Sequence, residues 1–324
     1  MDAWSFRNLE AEHGAAVINR FRQAFPELRS IRYDAAALDI DEAVDGAQVV
    51  LVHEWNDAEL VRRIGEHRKR YGRYRLLFHD THHRSVTDVE NLSRYDLSGY
   101  DGILAFGEVI RERYIAKGWA RRAWTWHEAA DVRLFRPLSN RPQEGELIWI
   151  GNWGDDERSA ELGEFLLGPV KSLRIRARVH GVRYPDHARA SLAEAGIQYA
   201  GWLPNYEAPE AFARFRLTVH VPRRPYVEAL PGVPTIRVFE ALASGIPLIS
   251  APWRDSEGLF APGQDFLIAR DGAEMTGHIR ALLDDPDMAR YLASNGRRTV
   301  LARHTCSHRV DELFAICERI NGSL

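Results

Sequence analysis

Residues 232–249 read Gly232-Val-Pro-Thr-Ile-Arg-Val-Phe-Glu240-Ala-Leu-Ala-Ser-Gly245-Ile-Pro-Leu-Ile249. A turn, a helix, a stop and a strand follow one another here. Gly232 precedes a helix expected over 234–244, with Pro234 at a first helical position, where its missing N–H is not needed. Gly245 ends the helix as a left-handed cap, and the apolar run 246–252 reads as a buried strand. The first N–H groups of such a helix lack intrahelical partners, and its dipole leaves that end positive, so Pro234, Thr235 and Ile236 open a place suited to a diphosphate. The pattern also fits an ordinary buried helix between two strands. In that case Arg237 and Glu240 need partners, because an unpaired buried charge is strongly destabilising.

The same helix–strand unit recurs on both sides. Downstream of 145, strands are expected at 146–152, 174–181, 197–202, 217–223 and 265–270, with helices at 155–173, 186–195, 207–215, 272–284, 286–303 and 306–320. Upstream, strands are expected at 47–54, 75–81, 102–107 and 123–129, with helices at 57–71 and up to Lys117. Residues 136–145 are rich in Pro, Gly and polar residues and read as a linker. The spacing therefore predicts an α/β chain of two Rossmann-like domains built on parallel sheets, the first over 1–138 and the second over 139–305. A Rossmann-type domain opens with a strand and a glycine-rich turn. Here the first 25 residues read instead as a helix, with Leu9, Ala16, Val17, Phe21 and Ala24 on one face. The first strand of the N-terminal domain is expected to be absent or displaced.

Composition narrows the function. A chain of 324 residues suits two domains at roughly 100–200 residues each. Its net charge of -3 lacks the basic bias of proteins that live on nucleic acid or anionic membrane. The cluster Arg62, Arg63, Arg68, Lys69 and Arg70 alternates with apolar positions, as the wet face of a helix does. Cys306 and Cys317 match no zinc or redox spacing, and two free thiols fit a reducing cytoplasm. Neither a signal peptide nor a spanning apolar run is expected.

In open α/β sheets ligands bind beyond the carboxyl ends of the strands. Three such ends in the first half carry a histidine followed by a carboxylate: His53-Glu54, His79-Asp80 and His127-Glu128. Each pair could supply an acid, a base or hydrogen bonds to ligand hydroxyls. Each could equally be a partly buried polar pair with backbone partners; all three together favour a site. The run His79–Arg84 is the densest cluster, but it has no i, i+4 ligand pair and no nearby cysteine, so a polar acceptor loop is preferred to a metal site. In the second half the strand ends carry Gly151-Asn152-Trp153-Gly154, Gly181, Gly201-Trp202 and Arg223-Arg224. Glycines there let a ligand approach the backbone closely.

The 232–249 run resembles the donor-site motif of glycosyltransferases with the two-domain GT-B fold, of the family 4 type, and 257–268 looks like the strand-entry motif that follows it. The runs 149–162, 201–205 and 219–224 are more closely similar to the CgeB-like (spore maturation protein B-like) glycosyltransferases. The resemblance implies two domains facing each other across a cleft, with the last helix, 306–324, packing back on the first. It implies that Glu240 hydrogen-bonds the donor ribose, and that Thr235 and Ile236 lie near the diphosphate. It also places Arg158, Arg223 or Arg224 at a basic slot for phosphate, and Gly201-Trp202 beside the base. The donor implied is a nucleotide sugar, UDP-linked by preference over GDP or dTDP, with no metal. The acceptor is a glycan, a protein or a small molecule. The family 4 pattern has a second glutamate eight positions before Glu240; this chain has Gly232 there, and Asp255 or Glu257 are the candidates to stand in.

The expected reaction is glycosyl transfer to a hydroxyl, with the leaving diphosphate stabilised by the helix dipole and basic side chains. An inverting route needs a base, for which His79, Asp80 and His127 are the candidates. A retaining route lets the diphosphate take the proton. Two rivals share the fold: a nucleotide-sugar epimerase, which would form product without an acceptor, and a non-catalytic binding protein, which would bind donor without turnover.

Overall fold

The structure, a computed structural model, describes residues 3–321. Residues 1, 2 and 322–324, included in the expected first domain and last helix, lie outside the described residues.

Four strands form the first sheet: β1 (Val49–His53), β2 (Arg75–Asp80), β3 (Gly102–Ala105) and β4 (Ala123–Thr125), parallel and side by side in chain order. Six form the second: β5 (Gly145–Ile150), β6 (Ala177–His180), β7 (Ile197–Tyr199), β8 (Phe215–His220), β9 (Leu248–Ser250) and β10 (Leu267–Ile268). Each of the ten overlaps a run expected from its apolar pattern. The second sheet is also parallel, in the order β10-β9-β8-β5-β6-β7. The chain therefore leaves β5 in one direction and returns to its other side at β8, which makes the β5/β8 junction a topological switch point. The first sheet has no such reversal. Its edge is β1, and no strand precedes Val49 among the described residues.

Strands covered on both faces read as continuous apolar runs, and β3 is buried throughout. One cover of the first sheet is the last helix, Cys306–Asn321. Its Leu313, Ile316, Cys317 and Ile320 recur at helical spacing and pack on Leu77 and Leu104 beside Trp124 and Trp126. Trp126 Nε1 donates to the Arg309 carbonyl at 2.7 Å. In the second half the helices Ile236–Ser244 and Pro286–Arg303 pack closely. A methyl group at Gly296 would lie 2.6 Å from Leu242 Cδ2 and 2.7 Å from the Asp265 carbonyl, so only glycine allows this approach.

Several elements differ from expectation. The N-terminal helix is two, Ala3–His13 and Ala15–Ala24, broken where Gly14 takes a φ of 76°. The expected helix 155–173 opens with a 3-10 turn at Asp155–Glu157 and then runs helically over 159–173, with a π-helical stretch over Gly163–Leu167. The helix after Gly232 starts at Ile236 with Thr235 as its cap, so Pro234 stands just before the cap and not in the first turn.

Candidate active site

The second sheet's switch point is held together by Arg158. Its Nη1 donates to the Val221 carbonyl at 3.1 Å and its Nε to the Trp153 carbonyl at 3.4 Å, while Nη2 donates to the Asn152 carbonyl. The guanidinium also lies over the Trp149 ring, 5.1 Å from its centre. Gly154, at a φ of 82°, leaves room for it: a methyl group there would sit 2.8 Å from Arg158 Nε. Burial, followed by the charge of Arg223, brings the Arg158 pKa down to about 10. Arg158 thus ties the ends of β5 and β8 by their carbonyls and puts a positive charge at their junction. The other expected arginines are ion-paired within their own half, Arg223 with Glu157 at 2.6 Å and Arg224 with Glu161 at 2.7 Å. The Gly151 carbonyl accepts from Tyr184 and Asn152 Oδ1 from the Val182 N–H. Trp153, expected to meet ligand, is instead a core residue, 4% exposed and packed in the main apolar cluster of this half.

The helix Ile236–Ser244 points its first turn toward the same crevice. Thr235 caps it by position, but its hydroxyl makes no bond to the helix. It lies instead 3.1 Å from Nε2 of His220, whose Nδ1 is 2.8 Å from Ser250 Oγ. Burial holds the His220 pKa down to about 3, so the ring is a neutral bridge between β8, β9 and the helix entry. Sequence reasoning passed over His220; the signal was a histidine inside an apolar strand. Glu240 is 3% exposed. Asn205 Nδ2 donates to its Oε1 at 2.8 Å and Arg237 Nη1 to its Oε2 at 2.6 Å, which supplies the partners that burial demands. Gly201 takes a φ of 71° and its carbonyl accepts from Gly181. Trp202 stacks on His13 at 4.4 Å. A ring face expected beside the nucleotide base is thus covered by the N-terminal helix pair, whose Phe21 and Phe25 also meet Tyr206.

In the first half, alternation along β2 separates His79 from Asp80, whereas His53 Nδ1 stays 3.9 Å from Glu54 Oε1 and both residues reach the Thr81 hydroxyl. His53 and His79 are register partners, their rings edge to face at 5.3 Å, and His79 also meets Trp126. Burial lowers the His79 pKa to about 4, which makes it a weak proton acceptor. Glu54 and Asp80 are fully buried. Burial raises Asp80 to about 6; burial and then the charge of Asp80 raise Glu54 to about 7. Asp80 accepts from the Tyr114 hydroxyl at 2.8 Å and from the His82 N–H at 3.0 Å. Asp80, expected as a catalytic base, is an interior group whose two carboxylate oxygens are engaged by Tyr114 and the His82 N–H, and it fixes the loop after β2.

The carboxyl ends of the two sheets meet. Tyr226, Leu230 and Val233 of the second half lie in the apolar core of the first, and His83 Nε2 lies 3.7 Å from Glu157 Oε2. His127 Nε2 is 2.7 Å from Glu257 Oε2. Glu128 Oε2 is buried without a hydrogen-bond partner, and burial, then the charge of Glu240, raise its pKa to about 8. A carboxyl raised on folding contributes stability that is fully present below its ordinary value of 4.5 and is lost as pH rises to about 8. Glu128→Gln, which cannot ionise, should melt like the parent below that window and at a higher temperature than the parent above it. Thermal unfolding at the two pH extremes checks this; equal melting temperatures at high pH would remove the buried charge from the argument.

Among the described residues no three or more His, Cys, Asp or Glu side chains are grouped to hold a metal ion, and no helix is long and apolar enough to cross a membrane. Residues 157–315 match a family model described as glycosyl transferase-like. No curated protein matches the chain. Among solved structures, sucrose-phosphate synthase of Thermosynechococcus elongatus superposes with a TM-score of 0.64 at 15% identity, covering 90% of this chain and 78% of its own. Anabaena HepE in complex with UDP and glucose gives 0.64 at 13%, covering 86% and 80%. A glycosyltransferase of Rickettsia africae gives 0.61 at 10%, covering 90% and 84%. At these identities the likeness is one of fold, the GT-B arrangement of two Rossmann-like domains. The family match and that fold together support a glycosyltransferase.

Proposed function

We propose that this glycosyltransferase moves a sugar from a nucleoside diphosphate sugar, UDP-linked by preference, to an acceptor hydroxyl without a bound metal. Residues 139–305 form the donor side and 1–138 the acceptor side, with the last helix fastened to the latter. The observation that carries this reading is the entry of the helix Ile236–Ser244. Its cap hydroxyl is turned away to His220, leaving the first N–H groups for an anion, and a buried carboxylate, Glu240, stands one turn further on. In such a site the diphosphate takes the helix N-terminus, with Arg158 and Arg223 supplying positive charge, and Glu240 takes the ribose hydroxyls. The complex of HepE with UDP and glucose supports the choice of nucleotide.

In the reaction the bond from the anomeric carbon to the diphosphate oxygen breaks, and its electron pair leaves with the diphosphate. A new bond forms from the acceptor oxygen to the same carbon. On an in-line route the acceptor proton passes to His127; on a front-face route it passes to the departing phosphate, with His127 holding the acceptor hydroxyl by a hydrogen bond. His127 is preferred to His79 because burial leaves His79 too weak a base.

Titration calorimetry against UDP, GDP and dTDP tests the donor site. Tight binding of one fixes the donor class, and binding of none sinks the reading. Turnover of the matching nucleotide sugar with no acceptor present would point to an epimerase instead.

A further inference from the structure

Glu257 lies on the loop after β9, in the second half, yet its carboxylate is engaged by the first. His127 Nε2 lies 2.7 Å from its Oε2. The N–H of Glu108, first residue of the helix Glu108–Ala116, donates to its Oε1 at 2.8 Å. The same carboxylate fills the space beside Gly232: a methyl group there would sit 2.8 Å from Glu257 Oε1 and 2.9 Å from its Cγ. Asp255, the other carboxylate of that loop, is turned inward and accepts the N–H groups of Leu259 and Phe260 at 3.0 and 2.8 Å. Of the two candidates, only Glu257 is placed to act across the cleft.

We infer that Glu257 is the positioning residue for His127, fixing its ring so that Nδ1 is the nitrogen presented to the acceptor hydroxyl. This rests on the reading of His127 given above. A neutral imidazole carries one proton; a carboxylate at Nε2 keeps it there and leaves Nδ1 as an acceptor. When Nδ1 takes a proton, the same anion stabilises the imidazolium, as the third member of a nucleophile–histidine–carboxylate triad does. Two other titratable groups face His127. Glu108 is kept ionised, first by its bond from Arg111, and His304 is kept neutral by burial, at about 4. Arg111 engages Glu108, so Glu257 is the carboxylate in direct contact with the ring.

Glu257→Gln keeps the shape and removes the charge. The expected result is a fall in kcat of about 10-fold or more with an unchanged donor KM. A kcat equal to that of the parent overturns the inference. Nitrogen-15 NMR of His127, identified as the resonance missing in His127→Gln, gives a readout independent of turnover. An Nε2-protonated ring in the parent and a mixture of tautomers in Glu257→Gln support the pair; an Nδ1-protonated ring in the parent overturns it while leaving the donor site standing. The pair's signature without nucleotide binding overturns the donor reading instead.

Discussion

Replacing His127 with alanine lowers kcat by at least about 10²-fold and leaves nucleotide affinity unchanged, the lower end of the range of about 10²–10⁴ for a positioned proton-transfer group. The reason is geometric. His127 follows β4 at the carboxyl end of the first sheet, and it meets Glu257 of the second half at 2.7 Å. It is half-buried, with 17% of its side chain exposed. The nucleotide is proposed to lie against the helix Ile236–Ser244, so loss of the imidazole strikes the chemical step and spares ground-state binding. Steady-state kinetics paired with calorimetry separate the two. If His127→Ala keeps its activity while His79→Ala loses it, the role belongs to His79.

Glu240→Ala weakens nucleotide binding by about 10- to 100-fold, the equivalent of one charged hydrogen bond worth about 1.5–3 kcal/mol. Glu240→Gln, which keeps an acceptor oxygen, falls between the two. The alanine variant also leaves Arg237 and Asn205 without the carboxylate they share, so its melting temperature falls as well. A further effect follows from Glu128. Its pKa is held up partly by the charge of Glu240, so removing that charge lowers it. Calorimetry, thermal unfolding and the pH dependence of stability measure the three effects separately. Unchanged affinity in both variants would take Glu240 out of the donor site.

The ten strands and the helix that follows Gly232 are legible from residues that report on themselves, whereas the order of the strands and the switch point are read from the folded sheets. Apolar runs such as 146–150 and 217–219 have nowhere to go but a sheet buried on both faces, and glycines mark the turns. The His–carboxylate pairs were harder. Neighbours in sequence look like one functional unit, and His53 and Glu54 do stay together at 3.9 Å, but along β2 the period of two sends His79 to His53 and Trp126 while Asp80 turns inward to Tyr114. The grouping of His127, Glu257 and Glu108 is not legible from spacing, because 130 residues separate His127 from Glu257. Only the folded meeting of two half-chains brings them together. The stacking of Trp202 on His13 is equally illegible, because His13 lies in a helix pair whose resting place no local pattern specifies.

The return of the chain to the first half has a mechanical consequence. The Ala130 N–H donates to the His304 carbonyl at 3.0 Å, and the Cys306 N–H to the Ala130 carbonyl at 3.1 Å. The outgoing and incoming passages between the halves are thereby zipped side by side. His127 stands three residues before Ala130, so its contact with Glu257 sits beside the place where the two passages between the halves are bound together.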